Sequence, residues 1–311
     1  SRGLGDVYKR QVQEMAETSA NLVAQSDELK QLQEQNQQSS SDTVSAESAS
    51  QEEGTLSPSH SSETVSSETT TDESLNNLLS QVRTLLPQDN GNWSVYVCNL
   101  MKGTEGTIDN QPMQAASLIK LYIMGAVYEN YDQITGQYGR DSVDSNLYSM
   151  ITVSDNDAAN TLTTYLGGGD SAAGMQAVNS FCQAHGYDQT HMGRMLLASN
   201  ENDDNYTSVG DCGHLLQEIY KQDTSGYTHA ADMFNLLKAQ TRCNKIPAQL
   251  PEGVKTANKT GELDNVENDA GIIYDSKNDV VIVFMSQNLS SAGSAQNTIA
   301  TLSRTIYDYY N

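Results

Sequence analysis

Residues 37–74 are built mostly from Ser, Thr, Glu and Gln, with almost no large apolar side chains. Such a segment cannot bury enough surface to offset its ordering entropy, so it reads as a flexible, acidic, solvated linker. That reading divides the 311-residue chain. One globular unit is expected over 74–311, and residues 1–73 are expected to form a low-complexity stalk. The modest hydrophobic content, 37% with a mean hydropathy of -0.55, then reflects dilution by the polar part and not a weak core. The chain carries 40 Asp and Glu against 17 Lys and Arg, a net charge of -23. That balance argues against nucleic acid as a partner, which requires a basic face to displace counterions. No run of eighteen apolar residues occurs, so no transmembrane helix is encoded.

Within the stalk, residues 1–11 are basic, begin without Met and do not match the acidic, polar residues after them. They read as adapter-derived translation at the end of an assembled read. In residues 12–36, Met15, Leu22 and Leu29 recur every seven positions. The spacing allows one short coiled-coil strand, but a polar, partly helical spacer is the stronger reading. Linkers of this type commonly tether surface domains to a membrane or cell wall. The protein is therefore expected to be exported, with any signal or anchor upstream, and to work as a monomer.

From Ser74 the pattern becomes globular. Leu75, Leu78, Leu79, Val82, Leu85 and Leu86 have helical spacing, and Pro87 ends that helix. Residues 93–100 alternate as a strand. Helices are expected over 117–129, 157–165, 172–185, 211–221, 230–240 and 294–309. Strands are expected over 254–262, 271–275 and 280–287. Gly167-Gly168-Gly169 reads as a turn, since no Gly-Lys-Ser/Thr comes after it to make a phosphate loop. Strands from both ends of the unit are expected to share one sheet, with the helical middle as a second lobe and a ligand cleft between them.

Three short motifs fall along this order. Ser117-Leu118-Ile119-Lys120 opens a strong helix, and i, i+3 spacing puts the hydroxyl and the amine on one face. The helix N-terminus also offers free N–H groups to a developing anion. Alone, the motif could be a Ser cap with a surface Lys, and on the order of one match is expected by chance in such a chain. Ser154-Asp155-Asn156 comes after the apolar run Met150–Val153 and could be no more than a capping turn. Lys259-Thr260-Gly261 could be a strand end and turn. All three in this order arise by chance roughly once in a hundred or less.

With these motifs in place the chain resembles class A serine β-lactamases and their penicillin-recognising relatives. The resemblance rests on Ala116–Tyr122, Met150–Asn156 and Asn258–Gly261, with Thr207-Ser208 and Asn268-Asp269-Ala270 in support. It covers residues 74–311. The full Ser-Asp-Asn is typical of class A, whereas penicillin-binding transpeptidases usually carry Ser-x-Asn. The resemblance implies an α/β (α+β) fold of the β-lactamase/transpeptidase type: an antiparallel sheet flanked by helices, plus an all-helical lobe.

It also implies roles. Ser117 attacks a carbonyl and forms an acyl-enzyme. Lys120 serves as its base only when neutral. Bringing a lysine from near ~10.4 to ~7 requires roughly 4.6 kcal/mol of differential destabilisation of the charged form. Desolvation and the like charge of Lys259 both push that way. Ser154 relays a proton to the leaving nitrogen, and Asn156 binds a substrate amide. Lys259 and Thr260 hold a substrate carboxylate, with Gly261 completing that motif. The N–H groups of Ser117 and Glu262 form an oxyanion hole. Lys245 stands where some relatives carry a second cationic carboxylate anchor. The implied partner is a β-lactam or a D-alanyl peptide, and no cofactor or metal is implied.

Two departures from the family bear on activity. Class A enzymes release the acyl group with a Glu on an omega-shaped loop, here within about residues 190–206. Arg194 matches the loop Arg, but the position two later is Leu196, and Glu201 is the only nearby Glu. Slow deacylation is expected. The span from Ser117 to Ser154 is also shorter than usual, which should open one rim of the cleft.

Other chemistries are poorly supported. His60, His185, His191, His214 and His229 form no zinc-hydrolase pattern, and no Gly-x-Ser-x-Gly elbow occurs. Cys98, Cys182, Cys212 and Cys243 allow three pairings. If the protein is exported, a Cys212–Cys243 bridge is the expected one; otherwise all four are buried thiols. Three functions remain: a β-lactamase, a penicillin-binding D-alanyl peptidase or esterase using the same Ser117 and Lys120, and a non-catalytic surface domain.

Overall fold

The structure, a computed structural model, describes residues 72–223 and 225–311. The expected spacer and most of the expected linker, residues 1–71, lie outside the described residues. The Asp72 carboxylate accepts from the Leu75 N–H at 3.0 Å and caps the first helix, α1 (Glu73–Leu85). The Thr104 hydroxyl donates to the other Asp72 oxygen, so the cap also ties the helix to the sheet. The folded unit thus takes in two residues that composition had assigned to the stalk.

Five antiparallel strands form the central sheet: β1 (Asn92–Asn99), β2 (Thr104–Ile108), β5 (Lys255–Leu263), β6 (Val266–Tyr274) and β7 (Val280–Gln287). Their spatial order is β2-β1-β7-β6-β5. The first strand pairs with the last, Val95 opposite Phe284, so both ends of the chain build one sheet. Side chains alternate between two apolar cores. Val95, Val97, Ile282 and Phe284 pack with α1 and the closing helix α9 (Ala292–Tyr310). Tyr96, Cys98, Val281 and Val283 face the helical lobe. Burial on both faces is why β7 reads Val-Val-Ile-Val-Phe-Met without alternation.

A two-stranded ribbon of β3 (Met113–Gln114) and β4 (Tyr206–Thr207) links the sheet to the lobe. The lobe contains α2 (Ile119–Glu129), α3 (Tyr131–Tyr138), α4 (Arg140–Thr152), α5 (Asn156–Leu166), α6 (Ser171–Ala184), α7 (Val209–Lys221) and α8 (Ala230–Lys238). Its centre is α2, where every residue from Ile119 to Tyr128 is buried. The sequence reading missed β2, α3 and α4. The strand is five residues of Thr, Glu, Gly and Ile on the sheet edge, and α4 is rich in Ser, Asp and Asn, which disfavour helix interiors in isolation.

The expected Cys212–Cys243 bridge does not form. Cys212 is buried in α7, where its thiol accepts from the Tyr122 hydroxyl, whereas Cys243 is exposed beyond α8; all four cysteines are free thiols.

Candidate active site

Ser117 lies in a 3-10 turn, Ala116–Leu118, that feeds directly into α2. Ala116 has φ +48°, a left-handed conformation that costs a residue with a Cβ about 1–3 kcal/mol and persists only where surroundings impose it. Here they do. The Asn268 amide donates to the Gln114 and Ala115 carbonyls at 2.9 and 3.1 Å. The Gln114 N–H donates to the Gln287 side chain at 2.9 Å, and the Ala115 N–H to the Asn205 carbonyl at 2.9 Å. The Ser117 turn is therefore pinned to β6, to β7 and to the segment leading into β4.

Lys120, one turn along α2, is fully buried, and its Nζ lies 3.0 Å from Ser117 Oγ. The second motif meets it there. Ser154 connects α4 to α5 at φ +58°, again left-handed and non-glycine. Asp155 caps α5 by accepting from the Ala158 N–H at 2.9 Å. The cap leaves Ser154 and Asn156 on either side pointing at Lys120: Nζ is 2.9 Å from Ser154 Oγ, 2.6 Å from its carbonyl and 2.7 Å from Asn156 Oδ1. The capping reading of Ser-Asp-Asn falls on Asp155, and Ser154 and Asn156 are left to meet Lys120.

The third motif closes the cluster. Lys259 Nζ lies 3.0 Å from Ser154 Oγ and 2.7 Å from the Thr260 carbonyl. Two lysines share one hydroxyl. Burial, then the charge of Lys120, then Arg242 and Lys245 push Lys259 well below the ordinary lysine range, with Asp269 opposing. Like charges this close do not both ionise readily, and titration belongs to the pair. A neutral amine of that pair, beside Ser117, is competent to take its proton.

β5 is one of the sheet's two edge strands, and its free side runs along the Ser117 turn. A Cβ built on Gly261 would sit 2.9 Å from the Ala115 carbonyl and 3.1 Å from the Ser117 N–H nitrogen. Only glycine permits that approach. It brings the Gly261–Glu262 backbone beside the Ser117 N–H, where the oxyanion donors are expected.

Lys245, expected as a second substrate anchor, is placed among carboxylates. It has no exposed surface, and its ammonium sits 2.8 Å from Glu262 and 2.9 Å from Glu267. Its charge is matched inside the protein by these two side chains.

The loop between α6 and β4 is held by a buried ion pair, Arg194 Nε to Asp204 Oδ1 at 2.7 Å, and by the Asn205 side chain accepting from the Gly193 and Arg194 N–H groups. Leu196 is buried, and both its backbone groups bond the Asn160 side chain, at 2.9 and 3.0 Å. Asn160 is one helical turn beyond Asn156 on α5, so the loop backbone at Leu196 is fixed to the helix that carries Asn156. Glu201 is exposed. Sequence reasoning missed Asn160 and Gln114. The i, i+4 spacing from Asn156 was the available signal for Asn160; Gln114 had none, since its role depends on Gln287, far along the chain.

Comparison with known proteins agrees with this geometry. The family model described as the β-lactamase enzyme family matches residues 77–143 and 139–310. Among solved structures, PBP-A aligns at 23% identity and TM-score 0.66 over 75% of this chain and 96% of that one. A leucine-to-glutamate mutant of PBP-A, solved as an acyl-enzyme complex with penicillin G, aligns equally well. An ancestral class A β-lactamase aligns at 21% identity and TM-score 0.64, over 74% of this chain and 99% of that one. The β-lactamase from Sphaerobacter thermophilus DSM 20745 aligns at 19% and 0.62, over 75% and 96%. No curated protein matches the sequence. Motifs, fold and family model agree, and the chain belongs to the β-lactamase enzyme family, with the fold shared by class A β-lactamases and PBP-A.

Proposed function

We propose that this protein opens β-lactam rings by acylating Ser117, with Lys120 as the base, and that it releases the acyl group slowly. The observation that carries the reading is the buried Lys120 amine 3.0 Å from the Ser117 hydroxyl, joined through Ser154 to Lys259. In the first step Ser117 Oγ bonds to the lactam carbonyl carbon and its proton passes to Lys120. The oxyanion rests on the N–H groups of Ser117 and Glu262. The C–N bond then breaks, and the proton returns through Ser154 to the departing nitrogen. Lys259 and Thr260 hold the substrate carboxylate.

Slow release is the consequence of Leu196. An apolar side chain on the loop neither activates water nor admits it easily. This favours a second reading, in which the natural substrate is a D-alanyl peptide whose acyl group passes to water or an amine at leisure. The acyl-enzyme complex of the PBP-A mutant with penicillin G supports acylation by penicillin on this fold.

Intact-protein mass spectrometry after mixing with penicillin tests both. The expected result is an adduct on the wild-type protein, none on Ser117→Ala, and persistence over many turnover times. In Leu196→Glu the adduct is expected to clear about 100-fold faster, the usual scale of a positioned base. No adduct on the wild-type protein, or an adduct on Ser117→Ala, would overturn the proposal; rapid clearance from the wild-type protein would leave acylation standing and remove slow release. We further propose that the acidic, Ser- and Thr-rich segment 37–71 acts as a tether for an exported domain, a reading supported by composition and testable by cell fractionation.

A further inference from the structure

The face of β5 turned away from Ser154 carries its own buried charge cluster. Cross-strand partners share a face, and Glu262 lies opposite Glu267, with Thr260 opposite Asp269. Like charges directly opposite each other weaken an antiparallel pair. Here Lys245 bridges them, 2.8 Å from Glu262 and 2.9 Å from Glu267. The next residue continues the attachment, since the Ile246 N–H donates to Asp269 at 2.9 Å. Asp269 also accepts from Asn258 at 3.0 Å, and Glu267 from Gln296 of α9 at 2.8 Å. The turn at Lys245–Ile246 is thus bonded to both strands of the hairpin. β5 has a strand on one side only, so these bonds supply restraint that a second strand would otherwise give.

We propose that Lys245 is a positioning residue: by bridging Glu262 and Glu267 it holds β5 at the distance from the Ser117 turn that acylation requires, and it does not bind the substrate carboxylate. The bridge reaches the strand at Glu262, whose backbone is expected to supply an oxyanion donor, one residue from Gly261 and its close approach to Ser117. A shift of the edge strand by an ångström is enough to lower rates by about 100-fold.

The test compares penicillin G with its methyl ester, which lacks the carboxylate, in the wild-type protein, Lys245→Met, and the triple variant Lys245→Met/Glu262→Gln/Glu267→Gln. The kinetic arm rests on the proposed acylation of Ser117. A second arm does not: hydrogen exchange of the β5 amides in the ligand-free protein. If Lys245 positions the strand, Lys245→Met slows acylation by both compounds by the same factor, about 10- to 100-fold. Exchange of β5 rises, and the triple variant recovers most of both losses because no uncompensated carboxylate remains. If Lys245→Met does not fold, a triple variant that folds and acylates with both compounds supports the proposal.

Loss confined to penicillin G, with the ester unaffected, would overturn it, because that is the signature of a carboxylate anchor. So would unchanged β5 exchange in Lys245→Met, or a triple variant no better than the single one. If the wild-type protein is acylated by neither compound, the proposed function fails and the exchange arm alone decides.

Discussion

Lys259 and Lys245 are both fully buried and flank the same edge strand, yet they are opposite kinds of lysine. Lys259 shares the Ser154 hydroxyl with a second lysine, and burial and that neighbouring charge drive its pKa down. Burial works against the charge on Lys245 as well, but Glu262, Glu267 and Asp269 outweigh it and hold its pKa above the ordinary range. Desolvation has the same sign in both places, so the charge of the neighbours decides the outcome. Lys259 is set beside cations and Lys245 among carboxylates, on opposite faces of one strand.

The largest effect should come from the cationic face. Lys120→Met removes the base beside Ser117 and should slow acylation by about 100- to 10,000-fold, read from the rate of adduct formation. On the carboxylate face the corresponding loss should appear in stability. Lys245→Met strands two buried carboxylates and should cost about 3–5 kcal/mol in denaturant unfolding. Equal stability of that variant and the wild-type protein would remove the contrast between the two lysines. Gly261→Ala tests the backbone that separates the faces. Its methyl group must displace the strand or the Ser117 turn by a few tenths of an ångström, and acylation should fall about tenfold with little change in fold.

The smallest effect is the sharpest in sign. Lys259 is neutral more readily in the folded protein than in the unfolded chain, so the wild type loses stability as pH falls below the unfolded lysine value of about 10.4. Lys259→Met should therefore gain on the wild-type protein as pH drops from 10 toward 7. Lys245 holds its proton more tightly when folded, so its contribution is complete below about 10.4 and is lost only as pH rises beyond that. The deficit of Lys245→Met should be flat between pH 7 and 10. Unfolding curves across that range check both, and parallel slopes for the two variants would contradict the assignment.

The three motifs were legible because each is a few residue types at a fixed short spacing, and two of the spacings are local: i, i+3 on a helix and a strand end beside it. β7 was legible because burial on both faces leaves an uninterrupted apolar run. Lys245 was read as an anchor because its position along the chain matched one seen in relatives, while its neighbours in space were not in view. The signal for the ion pairs was the Asp264-Asn265 turn, which sets Glu262 opposite Glu267 and leaves a cation to be found for the pair. The strained backbone at Ala116 and Ser154 carried no local signal, since neither residue type prefers a positive φ.

The amino-acid order alone was enough for the family, for the three motifs that meet in space around Lys120 and Ser154, and for the Leu196 that stands where the resemblance places a Glu. These rest on residue identity at short spacing, which survives without coordinates. Which lysine meets Ser154 and which meets two carboxylates was settled by packing. Both are Lys and both are buried, and their difference lies in their neighbours: Glu262 and Glu267 within 3 Å of Lys245, and for Lys259 the Ser154 hydroxyl that Lys120, 139 residues earlier, also reaches. Electrostatic energy depends on distance through space, and a linear sequence records only distance along the chain.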